Sequence, residues 1–414
     1  MQAEQQQVPS PGATAAHLLT PRRELLLLLV LAGIQFTHIL DFKIMMPLGP
    51  QLTEAFGIRD AQFGLLVSAY TFSAGLSGLL ASVYIDRFER RTLLLVLYLL
   101  FALATLACGL APTYESLMAA RIAAGLFGGI LSAMIQTIVA DVIPFARRGK
   151  AMGIVMTSFS VSTVMGVPLG LYIAAHSDWH TPFIAIAGLS VALAVGGWLV
   201  IPSLHGHLAA NAGSKALQGI ATVVRDTNHL RAFAFSFCMI FAGFSIIPYI
   251  TIYMQTNAGV LTSQIPLIYL VGGAATLVSA QLIGRLSDRL GKLKVLGVVA
   301  CVAVLPMMLI TLSAGLPLWG ILIITTLFFV FVSGRMIPGM ALVSAAANPA
   351  YRGTFMTLNS SMQSAAMGLA ALVGGLVISR NPQGMIQYFW VCSLIAIGFN
   401  LLALALARRI RVHA

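Results

Sequence analysis

Residues 24–49 read ELLLLLVLAGIQFTHILDFKIMMPLG, from Glu24 to Gly49. The run meets the ~20 mainly apolar residues that one helix needs to cross a bilayer. Toward its far end it carries a carboxylate, Asp41, and a cation, Lys43. An ionisable side chain at bilayer depth costs about 2.5–3.5 kcal/mol on insertion scales, so each one calls for a physical reason. The stretch reads as a membrane-crossing helix built around a functional charge.

The rest of the chain repeats the pattern. Its 414 residues are 59% hydrophobic and only 9% charged, against ~25% charged in soluble domains. That surface cannot be kept in water, which excludes a soluble enzyme. Breaks at Gly, Pro and charge clusters place further spans near 61–84, 92–111, 117–142, 150–174 and 182–202, then 230–256, 265–286, 294–314, 318–344, 353–378 and 385–407. One long polar connection, Ser203 to Asn228, separates six spans from six. Within it, Leu217, Ile220 and Val224 share one helical face, which suits a short helix on the membrane surface or a solvated linker. The expected division is a tail over 1–23, a bundle over 24–202, a linker over 203–229, a bundle over 230–408 and a tail over 409–414.

Charge placement orients the chain. If both ends lie on one side, that side holds nineteen of the 24 Lys and Arg residues, and the other holds Arg59 and Arg380. Lys43, Arg121 and Arg335 fall inside spans. The bias predicts cytoplasmic termini. The net charge of +12 therefore sits in short loop clusters, not in a groove for nucleic acid. Cys108, Cys238, Cys301 and Cys392 all lie in apolar runs, which argues against a disulfide framework. The polar, Gln-rich start shows no cleavable leader, so the first span is expected to stay as an anchor.

The two halves repeat. Arg148-Gly149-x-x-Met152, with Gly170 beyond it, recurs as Arg352-Gly353-x-x-Met356 with Gly374. Asp86-Arg87 after the second span recurs as Asp288-Arg289 after the eighth. Six spans repeated in the same direction form two bundles related by a pseudo-two-fold axis along the membrane normal. The fold class is all-α integral membrane, twelve transmembrane helices in two six-helix bundles. Transporters so built bind substrate between the halves near the midplane and rock one half against the other.

These features resemble the major facilitator superfamily from about Glu24 onward. Its loop signature, Gly-x6-Gly-x3-Asp-Arg-x-Gly-Arg-Arg, corresponds to Gly75-x6-Ser82-x3-Asp86-Arg87-Phe88-Glu89-Arg90-Arg91, with Ser82 and Glu89 replacing glycines. The second copy, Gly284-x3-Asp288-Arg289-Leu290-Gly291-Lys292, is a closer match. Leu40-Asp41-Phe42, Met46-Pro47-Leu48-Gly49-Pro50 and Gly166-Val167-Pro168-Leu169-Gly170 look like the twelve-span bacterial drug and sugar efflux branch. Arg121-Ile122-Ala123-Ala124-Gly125 resembles the family's Arg-x-x-Gln-Gly, with Ala124 at the Gln position. The resemblance implies that spans one and four line a central cavity. It makes Asp86, Arg87, Arg90, Arg91, Asp288, Arg289 and Lys292 a charge latch on the cytoplasmic side. It gives Gly166, Pro168 and Gly170 a part in antiport closure, by close packing or a kink.

Of twelve carboxylates, eleven read as termini, loops or span edges, and Asp41 alone lies well inside a span. Burial and nearby charge shift a carboxylate's affinity for protons in opposite directions, so a cavity carboxylate can load and release one. Helical steps of ~100° put Gln35, Thr37, His38 and Asp41 within about 160° of each other. Arg121 sits at a similar depth in the fourth span. These positions predict a proton-coupling site of Asp41, Arg121 and His38, with the Asp41–Arg121 contact direct or through His38. His38 is alternatively a hydrogen-bonded lining residue. Lys43 faces away from Asp41 by ~160° on the same steps, and its stem suits snorkelling to the interface. Arg335 has no evident carboxylate partner and fits either an anionic substrate group or helix-end carbonyls. Gln35, Thr37, Gln136, Tyr249, Asn359 and Gln363 complete the candidate cavity, although helix–helix hydrogen bonds account for the last four almost as well.

No Gly-x4-Gly-Lys-Ser/Thr phosphate loop, metal-spaced Cys/His cluster or nucleophile elbow is present. The expectation is a secondary active transporter without cofactor or metal, driven by a proton gradient. It would export drug-like compounds or sugar- or nucleoside-type metabolites by antiport. The expected setting is a bacterial inner membrane, with small-molecule substrate, protons and lipid as partners, no nucleic acid, and a working monomer. Alternatives are a proton-coupled nutrient importer and a non-transporting sensor on the same fold.

Overall fold

The computed structural model describes residues 20–85, 88–204, 216–348 and 351–411. Among them are twelve helices long and apolar enough to cross a membrane. Spans 1 to 6 are Pro21–Ile44, Asp60–Ala81, Arg90–Gly109, Tyr114–Val142, Arg147–His176 and His180–Val200. Spans 7 to 12 are Thr227–Thr256, Thr262–Leu290, Lys292–Ile310, Leu318–Ala346, Arg352–Val377 and Phe389–Ala407.

Local chemistry sets the ends of these helices. Thr20 caps span 1 by accepting from the Arg23 amide, with Pro21 in the first turn, where its missing N–H has no partner to lose. Thr113 caps span 4, and Asp226 caps span 7 by accepting from the amides of Asn228 and His229. Span 1 is shorter than the expected 24–49. The helix ends at Ile44, turns through Pro47 and resumes as the short helix Gly49–Phe56. A proline ring has no N–H to offer and crowds the preceding turn. Span 7 breaks in the same way after Phe244, at Pro248, and continues as Ile250–Thr256.

The loop copies differ where their sequences differ. Gly291 turns span 8 into span 9 with φ at 95°, a backbone that side chains resist. Its counterpart Glu89 keeps φ at −62° and caps span 3 through the amides of Arg91 and Thr92. Glu89 also accepts from the Leu204 amide at 2.8 Å. Partial burial works against its charge, but the hydrogen bonds from Thr92, Leu204 and Arg91 dominate and hold the carboxyl at about 2. The linker carries a helix over Ala216–Arg225, and it buries Val223 against the base of the second bundle while Val224 stays exposed. The buried position is thus one residue away from the face expected in the sequence.

Both described chain ends lie on one face of the molecule, here the terminal face. The Arg411 amide donates to Asn228 at 2.8 Å, and Arg147 pairs with Glu24 at 2.8 Å. The halves have separate apolar cores near this face, one confined to the first six spans and others to the last six. Toward the opposite face they share one core, in which Met46, Leu48, Leu52 and Phe63 pack with Ile246, Tyr249, Ile252 and Tyr253. Spans 2 and 11 cross between halves, with Ser68 donating to the Gly368 carbonyl at 2.7 Å and Ser361 to that of Gly75 at 3.0 Å. Spans 5 and 8 meet where Gly273 lies against Thr163 and Val164. The cleft between the halves is therefore shut on the face away from the termini.

Candidate functional site

Asp41 is fully enclosed, and its carboxylate accepts from Arg121 Nη1 at 2.9 Å and from Thr105 Oγ1 at 3.2 Å. Arg121 is equally buried. Span 4 can bring it there because Gly125, one turn on, has no side chain. A Cβ at Gly125 would sit 2.3 Å from the Tyr70 carbonyl oxygen, so span 4 lies directly on span 2. The guanidinium carbon stands 4.3 Å from the centre of the Tyr70 ring, which adds a cation–π contact. The interaction is direct, and His38 does not bridge it. His38 packs edge-on against Phe101, with centroids 5.8 Å apart.

The pair lies one layer behind the wall of the cleft. Tyr70 stacks on Phe42 at 5.4 Å, and Phe42 stacks on Phe244 of the other half at 6.1 Å. An unbroken line of rings therefore runs from Arg121 to the facing bundle. Two buried polar atoms here, His38 Nδ1 and Tyr70 Oη, have no hydrogen-bond partner among the described residues. Tyr70 Oη faces Gly128, where it would be 3.0 Å from an added Cβ, and the Cδ2 edge of the His38 ring lies equally close.

The cleft holds a cavity of about 370 Å³ between spans 1, 5, 7, 8 and 10. Its wall is apolar and aromatic, with Phe42, Phe159, Phe244, Tyr269 and Phe329, and its one charged residue is Lys43. Lys43 does not snorkel. It donates to Thr163 Oγ1 at 2.5 Å, and lies within reach of the Phe159 carbonyl at 3.4 Å and Ser162 Oγ at 3.5 Å. Ser162 and Thr163 open a π-helical turn, Ser162–Gly166, which ends two residues before Pro168, while Phe159 lies in the α-helix just ahead of it. Because Pro168 lacks an N–H, the regular ladder is interrupted in the turn before it. Gly166, the last residue of this turn, and Gly170 beyond it face span 1, against Leu40 and Ile44.

Most of the polar residues expected to line the cavity sit elsewhere. Gln35 donates to Ser132 at 2.7 Å and Thr37 shares a hydrogen bond with Tyr98 at 2.7 Å, both inside the first bundle. Gln136 is exposed on span 4 and lines neither of the larger cavities. Tyr249 donates to the Ala371 carbonyl in the shut region. Arg335 is buried within the second bundle, bonded to Asn400 and to the Val332 carbonyl at 3.2 Å. Asn359 is buried with its amide unpartnered among the described residues, and Gln363 donates to the Met340 sulfur at 3.3 Å. Residue type and span number could not separate the inside of a bundle from the cleft between bundles. Phe42, Tyr70, Thr105 and Phe244 were missed because aromatic and hydroxyl side chains in apolar spans look like packing.

Of the latch residues, Asp86 and Arg87 lie outside the described residues. Arg90 pairs with Asp141 of span 4, and Arg91 donates to the Trp198 carbonyl at 2.5 Å while its guanidinium covers the Trp198 ring at 4.6 Å. Both contacts stay within the first bundle. Asp288, Arg289 and Lys292 are exposed at the terminal face, and no ion pair of theirs occurs among the described residues. On the opposite face an ion pair does join the halves. Asp60 at the start of span 2 accepts from Arg380 Nε and Nη2, both at 2.8 Å, beside a cavity of about 930 Å³. Among the described residues, no three His, Cys, Asp or Glu side chains converge as a metal site.

Two six-helix bundles meeting around a mid-depth cavity define a multi-pass membrane transporter. The model of the Major Facilitator Superfamily matches residues 31–371, and the chain belongs to that family, which carries small molecules and is not enzymatic. YceJ of Bacillus subtilis (strain 168), described as an uncharacterized MFS-type transporter, is 25% identical over 352 residues, covering 81% of this chain and 85% of YceJ. Two solved structures share the fold. A bacterial homologue of the human lysosomal transporter Spinster, inward-facing and occupied, has a TM-score of 0.76 at 15% identity and covers 95% of this chain and 97% of its own. A D-xylose–proton symporter has a TM-score of 0.71 at 14% identity, over 93% of this chain and 97% of its own.

Proposed function

We propose that the protein is a secondary active transporter that exports small amphipathic molecules against entering protons, by alternating access, as a monomer in a bacterial inner membrane. The observation that carries this reading is the enclosed Asp41–Arg121 pair, joined through Tyr70 and Phe42 to Phe244 across the cleft. A proton on Asp41 removes the negative charge that holds Arg121. The guanidinium then relies on Tyr70 and Thr105 loses its charged acceptor, so the ring line shifts against the facing bundle. Deprotonation restores the pair. The unpartnered His38 Nδ1 and Tyr70 Oη support a water-borne route for the proton.

The charge bias supports placing the terminal face in the cytoplasm. With the opposite face shut, the cavity would load from the cytoplasm, as export requires. The exposed Asp288, Arg289 and Lys292 fit a cytoplasmic latch that is disengaged in this state. The aromatic wall supports an amphipathic cargo over a hydroxyl-rich sugar, which needs many hydrogen-bonding groups.

Flux in proteoliposomes tests the reading. A panel of amphipathic solutes is presented under an imposed pH gradient, and proton movement is followed with a trapped dye. Asp41→Asn is expected to reduce solute-linked proton flux at least about 100-fold, while solute exchange without a gradient persists. Full gradient-driven turnover by Asp41→Asn would reject the proposal.

A further inference from the structure

We infer that the cavity around Lys43 is a binding site for an amphipathic organic anion, with Lys43 receiving its acidic group. The inference rests on the transporter reading above and names the charge class of its cargo.

The argument is one of charge balance. Lys43 stands mid-cleft at the end of span 1, in a chamber whose wall is otherwise neutral. Its three acceptors are two hydroxyls and a carbonyl, which satisfy its N–H groups without offsetting its charge. No carboxylate pairs with it among the described residues. Asp41, two residues away, is committed to Arg121 and Thr105 inside the bundle. An ammonium held among aromatic rings without a counter-ion is costly unless a ligand supplies the opposite charge.

The surroundings fit such a ligand. Ser160 and Ser333 line the same cavity, and their hydroxyls can donate to an acidic oxygen of a ligand held there. Phe159, Phe244 and Phe329 offer flat apolar contact for a ring or chain. A volume of about 370 Å³ falls at the lower end of the ~300–1,000 Å³ usual for small-molecule sites. Both halves contribute to the wall, so an anion bound here touches both moving parts.

A purely structural lysine would staple span 1 to the π-helical turn and would not discriminate among ligand charges. The test uses three probes sharing one ring system: naphthalene-2-carboxylate, naphthalene-2-methanol and naphthalen-2-ylmethylammonium. Binding is measured calorimetrically with the full chain in phosphatidylcholine nanodiscs, with empty nanodiscs subtracted. The expected result is a carboxylate bound at least about tenfold tighter than the alcohol, with the ammonium weakest. Lys43→Ala should bring the carboxylate to the level of the alcohol, and Lys43→Arg should retain the preference. A wild type without anion preference, or a Lys43→Ala variant that keeps it, overturns the inference. Because this assay needs no flux, its failure is separable from that of the transporter reading, which the Asp41→Asn experiment decides.

Discussion

Arg121→Leu is expected to lower the stability of the protein by about 3–5 kcal/mol, the usual loss when one partner of a buried ion pair is removed. The cause is local. Asp41 is wholly enclosed, and without the guanidinium at 2.9 Å its carboxylate keeps only Thr105 at 3.2 Å. The variant also strips the cation from the face of Tyr70 and leaves a gap between spans 2 and 4. Asp41→Leu with Arg121→Leu should recover most of the stability, because replacing a whole buried pair with apolar groups is often neutral. Neither variant should move solute against a gradient. Thermal unfolding of the purified protein checks the stability claim and proteoliposome flux the other. A single variant as stable as the wild type would show that Asp41 does not depend on Arg121 for its charge.

Arg380→Glu is expected to open the face opposite the termini. Asp60 is 4% exposed and takes both Arg380 donors at 2.8 Å, a forked geometry that favours arginine over a point charge. Arg380 belongs firmly to the second half. It lies on a short hairpin in which Ser379–Arg380 pair with Ile386–Gln387, and Asn257, which caps the end of span 7, exchanges two 2.9 Å hydrogen bonds with Ile386. Hydrogen bonds to charged groups contribute about 1.5–3 kcal/mol, so losing them shifts a two-state balance by roughly 10–100-fold. A cysteine at Ile252, buried in the shared core, reports the opening. Its alkylation by an impermeant maleimide should accelerate 10–100-fold in Arg380→Glu, and slow again when Asp60→Arg is combined with Arg380→Asp. No acceleration would mean that the pair does not hold this face shut.

The sequence carried the architecture because it lives in quantities that single residues report: apolar run lengths, proline breaks and the side on which lysine and arginine collect. It also carried the Asp41–Arg121 pair, since two opposite charges at similar depth in neighbouring spans have few other ways to be accommodated. Contacts that depend on how the bundles meet were not legible. Asp60 and Arg380 read as span edges, and their pairing spans 320 positions. Lys43 read as an interfacial lysine because helical steps turn it away from Asp41 and its stem is long enough to snorkel. The break after Ile44 and the short helix to Phe56 leave it inside the cleft, where Ser162 and Thr163 accept from a π-helical turn that residue spacing does not announce. Gln35 and Thr37 shared a face with Asp41 as expected, but that face turns into the bundle.

The central claim is that the proton on Asp41 sets the tilt between the two halves. It is tested most directly by spin labels at Lys150 and Leu290, exposed positions on spans 5 and 8 near the terminal face, with exposed Cys301 replaced. Pulsed electron resonance then measures the distance between halves from acidic to alkaline pH, in the wild type and in Asp41→Asn. The account predicts a wild-type distribution that shifts with pH, and an Asp41→Asn distribution that stays at every pH where the wild type lies in acid. If both proteins shifted alike, or neither did, the proton on Asp41 would not control the tilt.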